Sequence, residues 1–529
     1  MAEDGPSTSL GASPSTSLGA SQGDVVAFLA TPAAYGVRGP HVERIDTHIS
    51  IVWLIGERAY KLKRAVRFDY VDFSTIERRR AACEAEVRLN RRTAPSLYLG
   101  VRPVTREADG SLALDGHGAP IDWLVEMARF DEATLFDRLA DGLGLDLGLM
   151  EGLADAIAGF HAVAEPRTDH GGRDGMAWVI DGNALGFAEH GRGVLEPQAC
   201  DRLTASTRLE LGRHQELLEA RRRQGMVREC HGDLHLRNIC LLDGRPTLFD
   251  AIEFNDEIAC VDVLYDLAFL LMDLWRRDLR THANVVFNEY LARTRDVNGL
   301  PLLPLFLACR AAVRAKTSAT AAAVQPDESS RAGLHAAARR YLALAQTFLS
   351  PPMPRLIAIG GLSGSGKSTV ARRLAPDVGA PPGALILRSD VIRKALYGVS
   401  PLTRLDDDAY APEISRLVYR TIAERARVAL DGGHSVIADA VYAHPAERDA
   451  IAAVARAAGV RFDGLWIDAP PAILERRLAA RQADASDADA DVLRRQLQAD
   501  LGRVDWTRVD GSSDVDCVSR GAAAAVGAA

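Results

Sequence analysis

The sequence predicts two units in series, an α+β unit of two lobes and then an α/β unit built on a doubly wound parallel sheet. Three observations predict it. The chain has 529 residues, too many for one hydrophobic core and suited to two or three domains. Strand-like runs come first, and helical runs follow them around a polar loop. Past a proline-rich break, strands and helices alternate, the pattern of a parallel sheet with crossover helices.

Residues 1–22 hold a tandem octapeptide, PSTSLGAS at 6–13 and again at 14–21. It is too polar to offset the entropy of ordering and reads as a disordered tail. Residues 23–349 form the first predicted domain. In it, HISIVWLI and AYKLK flank Gly56 and Glu57 as a hairpin. A charged helix follows at 75–92, a strand at 122–130 and a mainly helical stretch at 132–225. The prolines of SPPMP at 350–354 end any helix and mark the linker. The second domain is 355–520, and the tail 521–529 carries no structural signal.

Hydrophobic residues make up 47% and charged residues 25%, ordinary for a globular chain. The net charge of −8 argues against a general nucleic-acid or anionic-membrane binder. Seven scattered cysteines without a C-x-x-C pair exclude a disulfide framework and a zinc site, and fit a reducing compartment. The most apolar stretch, 261–275, is interrupted by Asp262, Asp266 and Asp273, so it reads as a buried helix. The expectation is a cytoplasmic protein with no membrane segment and no nucleic-acid partner.

GLSGSGKST at 361–369 fits G-x-x-x-x-G-K-[ST] and lies between an apolar strand and a helix, as a phosphate-binding loop requires. Gly361, Ser363, Gly364, Ser365, Gly366 and Thr369 would let backbone N–H groups wrap the phosphates of ATP. Lys367 would bridge those phosphates and Ser368 would ligate Mg²⁺. The third strand ends in Ala438–Asp439–Ala440, without the Asp-Glu pair usual in ATP-hydrolysing motors. The second strand ends in Ser389–Asp390, where a carboxylate stands at the phosphate crevice and can take a proton from an acceptor hydroxyl. Arg393, one turn on, would hold an anionic part of the acceptor. Arg477 and Arg481, spaced i, i+4, would face the transferring phosphoryl group like a lid. This module resembles the zeta-toxin, polynucleotide 5′-kinase and gluconate-kinase group of P-loop kinases.

In the first module the informative string is CHGDLHLRNICLLDGRPTLFDAIEF, 230–254. Asp233 and Asn238 have the separation of the kinase loop H-R-D-x-x-x-x-N. Asp243–Gly244 reads as a two-residue hairpin turn that pairs Leu242 with Arg245. Asn238 then opposes Phe249 and lies diagonal to Asp250, unless Pro246 shifts the register. The two side chains would hold Mg²⁺ on ATP, since hard oxygen donors suit that ion. Asp233 would accept or orient the acceptor hydroxyl proton. His231 and His235 would orient the loop, and Asp262 and Asp266 would order the lobe.

Lys61 and Lys63 share one strand face, and a glutamate of the next helix, Glu86 or Glu84, should pair with one of them. Lys61 and Glu86 are preferred. Glu126 and Met127 would contact adenine through their backbones. HGD-x-H-x-x-N resembles the aminoglycoside phosphotransferase and choline-kinase superfamily. Over 24–510 the arrangement is similar to bacterial proteins that join such a domain to a P-loop ATP-binding domain.

The resemblance implies a phosphotransferase that uses ATP and Mg²⁺ at two sites, with small hydroxyl-bearing acceptors such as a sugar, nucleoside or alcohol. Arg276, Arg277, Arg280, Arg310, Arg314 and Lys316 disfavour a polycationic acceptor unless they form a solvated helix face. A first module that only binds nucleotide, or an ATP-sensing regulator, are the rival readings.

Overall fold

The computed structural model describes residues 20–37, 41–68, 70–142, 144–480 and 485–527. These described residues form two compact units, one within 20–276 and 305–349, the other within 277–304 and 350–527.

The first unit opens on a six-stranded antiparallel sheet. Its spatial order is Glu43–Asp46, Ser50–Ile55, Arg58–Lys63, Ala119–Ala128, Tyr98–Arg106 and Leu112–Leu114. Alternation along these strands gives two apolar faces. One packs Ile51, Trp53, Leu62 and Leu124 beneath Val25, Val26 and Leu29 of the helix Ala20–Leu29. The other packs Val125 and Tyr98 against Cys83 and Val87 of the helix Ile76–Asn90. Thr75 starts that second helix by accepting the Arg78 N–H, which satisfies one of the helix's orphan donors.

The predicted tail 1–22 is therefore too long by a turn. Gln22 is buried and bonds the Lys63 carbonyl and the Asp122 carboxylate, each at 2.9 Å. The octapeptide, up to residue 19, lies outside the described residues.

Helices make up the second lobe, among them Leu147–Val163, Gly172–His190, Pro197–Arg223, Val263–Arg276, Leu303–Val324 and Glu328–Phe348. Val263–Arg276 is buried along nearly its whole length, as its sequence suggests. Among the described residues one stretch, Val297–Val324, is long and apolar enough to cross a membrane, and 72% of its most apolar window is buried inside the protein.

The second unit holds five parallel strands in the order Leu385–Arg388, Val436–Asp439, Arg355–Gly360, Arg461–Asp468, Thr507–Asp510. The first strand in sequence is thus central, and its C-terminal end marks the switch point where such sheets bind ligands. Two boundaries differ from the expected ones. Residues 277–304, drawn into the first domain, pack with the second unit. Within their helix Arg280–Thr294, Asn284 bonds the Pro382 and Ala384 carbonyls, and Asn288 accepts the Ile386 N–H at 2.7 Å. The expected tail 521–529 is helical as far as 526. The helix Val515–Val526 buries Val518, Ala522 and Val526 in the core beside Ile467 and Val509.

Candidate phosphoryl-transfer sites

Between the strands and the helical lobe of the first unit lies a cavity of about 480 Å³. Its wall includes Lys61, Lys63, Met127, Asn238 and Asp250. Lys61 lies on the strand Arg58–Lys63, and its ammonium bonds Glu86 at 2.9 Å and Asp250 at 2.7 Å. Lys63 bonds the other oxygen of Glu86 and also Glu253. Both lysines therefore meet Glu86, and only Lys61 also reaches Asp250 among these contacts. Glu84 faces solvent and pairs with Arg80.

Burial disfavours both charged lysines, yet Glu86 and Glu253 around them, with Asp250 beside Lys61, raise both pKa values. The two lysines in turn hold Glu86 below the usual carboxylate range against its own burial. Glu253 is pushed up by burial and the neighbouring Glu86 despite its lysine partner.

The hairpin forms in the register that the turn dictates. Leu242 pairs with Arg245 and Ile239 with Leu248. Asp243 at φ 49° and Gly244 at φ 72° make the mirror-image turn that matches strand twist. Phe249 N–H bonds the Asn238 carbonyl at 3.0 Å, so Pro246 leaves the register unshifted. The Asn238 amide N–H bonds the Asp233 carboxylate at 3.1 Å. Asp250 sits at φ 61°, a conformation rare outside glycine. Its N–H bonds the Tyr98 hydroxyl at 3.1 Å. An amide oxygen and carboxylates beside one cavity fit Mg²⁺.

Asp266 organises the loop before the hairpin. Fully buried, it accepts the His231 and Gly232 N–H groups at 3.2 and 2.8 Å and meets His161 at 3.1 Å. Arg310 bonds the Gly232 carbonyl at 3.1 Å. The ring of His231 bonds the Phe249 carbonyl at 2.8 Å, and burial lowers its pKa. A neutral ring then donates from Nε2. His235 stands 3.3 Å from Asp233. Burial opposes the Asp233 charge, but His235, Arg314 and His231 hold its pKa well below the usual range.

In the second unit the P-loop borders a cavity of about 1350 Å³ lined by Ser363, Gly364, Gly366, Lys367, Ser368 and Thr369, with Asp390 and Arg393. Gly361 is needed where the loop crosses its neighbour, because a Cβ there would stand 2.4 Å from the Ile467 carbonyl at a φ of +139°. Ser365, within the loop, is buried. Lys367 bonds the Leu362 carbonyl at 3.2 Å. Ser368 donates to Asp439 at 2.6 Å. Asp390 is raised by burial first and by Asp439 among its neighbours, the opposite tuning to Asp233.

Arg393 lines the cavity, but its guanidinium already bonds the Ala409 carbonyl at 2.5 Å and covers the Tyr410 ring at 4.6 Å. Arg477 reaches the backbone of Ser365 at 3.4 Å and Ser513 at 3.1 Å, beside the loop. Arg481 lies outside the described residues. Two partners of the loop escape the sequence reading. Asp439 ends the apolar strand Val436–Asp439, and that position was the available signal. Gln496 accepts the Ser363 N–H at 2.9 Å, with no sequence signal at all.

Comparison with known proteins agrees with this division. Residues 56–299 match the family described as "Phosphotransferase enzyme family", and residues 356–500 match one described as "AAA domain". Proteins of Mycobacterium tuberculosis and Mycobacterium bovis, each described as uncharacterized, are 31% identical over 467 residues. The match covers 86% of this chain and 89% of theirs. The chain belongs to this two-module phosphotransferase family.

Among solved structures, a sugar kinase from Janibacter is 22% identical over 34% of this chain and 96% of its own, with a TM-score of 0.25. A choline/ethanolamine kinase family protein from Mesorhizobium loti is 14% identical over 62% of this chain and 99% of its own, with a TM-score of 0.36. The two modules of this chain are both of kinase type, a kinase-like domain followed by a P-loop domain.

Proposed function

We propose that both modules transfer the γ-phosphoryl group of ATP to a hydroxyl group of a small molecule. One observation carries this reading. In the first unit Lys61 and Asn238 line one cavity, Asp233 lines a second, and the Asn238 amide bonds the Asp233 carboxylate at 3.1 Å; in the second unit Lys367 and Asp390 line a single cavity.

In the first unit Lys61, braced by Glu86, would hold ATP phosphates, and Asn238 and Asp250 would hold Mg²⁺. The ion supplies charge neutralisation at the phosphates. Asp233, kept ionised, would accept the hydrogen bond of the acceptor hydroxyl and aim its oxygen. In the second unit Lys367 and the loop amides would cradle the phosphates, with Ser368 and Asp439 on the Mg²⁺ side. Asp390, raised above an ordinary aspartate, is the stronger base of the two.

The test is a metabolite extract incubated with γ-labelled ATP and read by mass spectrometry. Labelled phosphate esters should appear and split into two sets, one lost with Asp233→Ala and the other with Lys367→Ala. ATP that binds but never yields a labelled ester would favour a sensor instead.

A further inference from the structure

A second cavity in the first unit, of about 590 Å³, is lined by Gly232 and Asp233 and by Arg310, Arg314 and Lys316. The volume is that of a small-molecule site. The three cations belong to the helix Leu303–Val324 and do not form a solvated face. Arg310 and Lys316 are 4% and 8% exposed. Arg310 is committed to the loop through the Gly232 and Tyr265 carbonyls. Arg314 faces Tyr341 and adds its charge to those acting on Asp233.

Lys316 is different. Its ammonium reaches only the Gly182 carbonyl, at 3.5 Å, and no carboxylate pairs with it among the described residues. A buried charge without a counter-ion is costly, and burial pushes this lysine down to about 8. The facing helix Gly172–His190 is nevertheless shaped around it. A Cβ at Gly186 would stand 2.3 Å from Lys316 Cδ and 2.4 Å from Cγ. Glycine in a helix interior weakens the helix, so the site gives up helix propensity to seat the lysine stem. The acids of that helix on the cavity, Asp181 and Glu189, are exposed, and Asp181 pairs with Arg208.

We infer that the first module's acceptor carries an anionic group, a carboxylate or a phosphate, which Lys316 binds while the acceptor hydroxyl lies at Asp233. The inference rests on the phosphotransferase reading above and narrows its substrate class. In the transfer, the acceptor oxygen bonds the γ-phosphorus and the bond from that phosphorus to the β,γ-bridging oxygen breaks. ADP leaves with the electron pair, and the hydroxyl proton passes to Asp233 and on to water. The anion supplies the counter-charge that Lys316 lacks.

The experiment uses the full chain with Lys367→Ala, so that ADP formation reports the first module. Acceptors are offered as matched pairs, hydroxy acids against their methyl esters and sugar phosphates against the neutral sugars. The two sets of pairs distinguish a carboxylate from a phosphate. The anionic members should show a KM at least about tenfold lower than their neutral partners. Lys316→Met should raise that KM about ten- to hundredfold with kcat nearly unchanged, and leave the neutral members unmoved. Gly186→Ala displaces the same stem in a stronger helix, keeps the charge, and should raise KM in the same direction. Neutral acceptors turned over as well as anionic ones, or a KM for the anion untouched by both variants, would overturn the inference alone. No Asp233-dependent ADP from any acceptor would sink the phosphotransferase reading with it.

Discussion

Asp439 accepts the Ser368 hydroxyl hydrogen bond at 2.6 Å, and Arg388 lies 3.6 Å from the same carboxylate. That contact fixes the serine oxygen expected to face Mg²⁺, and groups that orient metal ligands typically matter ten- to hundredfold. Asp439→Asn, made in the Asp233→Ala background, should lower P-loop turnover about ten- to hundredfold. It should also shift the Mg²⁺ titration to higher concentration. An unchanged titration would remove Asp439 from the site. That a lysine of the strand Arg58–Lys63 meets a glutamate of the next helix was legible in the sequence. Strand period puts Lys61 and Lys63 on one face, however, and cannot choose between them, and both bond Glu86. Asp439 ends a strand as Asp390 does, which places it at the crevice. Its role at Ser368 is not readable in sequence, because that partner, 71 residues away, is brought beside it only by the fold.

The hairpin shows how far a local rule carries. Two turn residues set the pairing of 239–248 and with it the placement of Asn238 beside Phe249, so this element was readable in full. The helix Arg280–Thr294 was not. Chain continuity assigns it to the first domain, while its polar contacts, Asn284 and Asn288 to the strand at 384–386, place it in the second. His434 belongs to the same seam. Its ring bonds the Gly383 carbonyl at 2.8 Å and packs 5.1 Å from Phe287. Burial lowers it from 6.5 to about 4, so the folded state favours the neutral ring. This contribution to stability is full above pH 6.5 and is lost as pH falls towards 4. The shift corresponds to about 3 kcal/mol. Wild type should lose more unfolding temperature between pH 6.5 and 4 than His434→Gln does. Parallel pH profiles would show that the ring does not titrate with folding.

At the scale of the whole molecule, the kinase fold of each unit followed from element order and two motifs. The proposed acceptor cavity of the first unit did not, because its wall comes from residues scattered over several elements, Lys316 and Gly186 among them. The modules also tune their carboxylates in opposite directions, Asp233 down and Asp390 up, which suits two independent sites. Total ADP formation with a metabolite extract, compared among wild type, Asp233→Ala, Lys367→Ala and the double variant, tests this directly. Each single variant should keep part of the turnover and the double variant should keep none. Turnover unaffected by Asp233→Ala, or abolished by either change alone, would contradict two working sites.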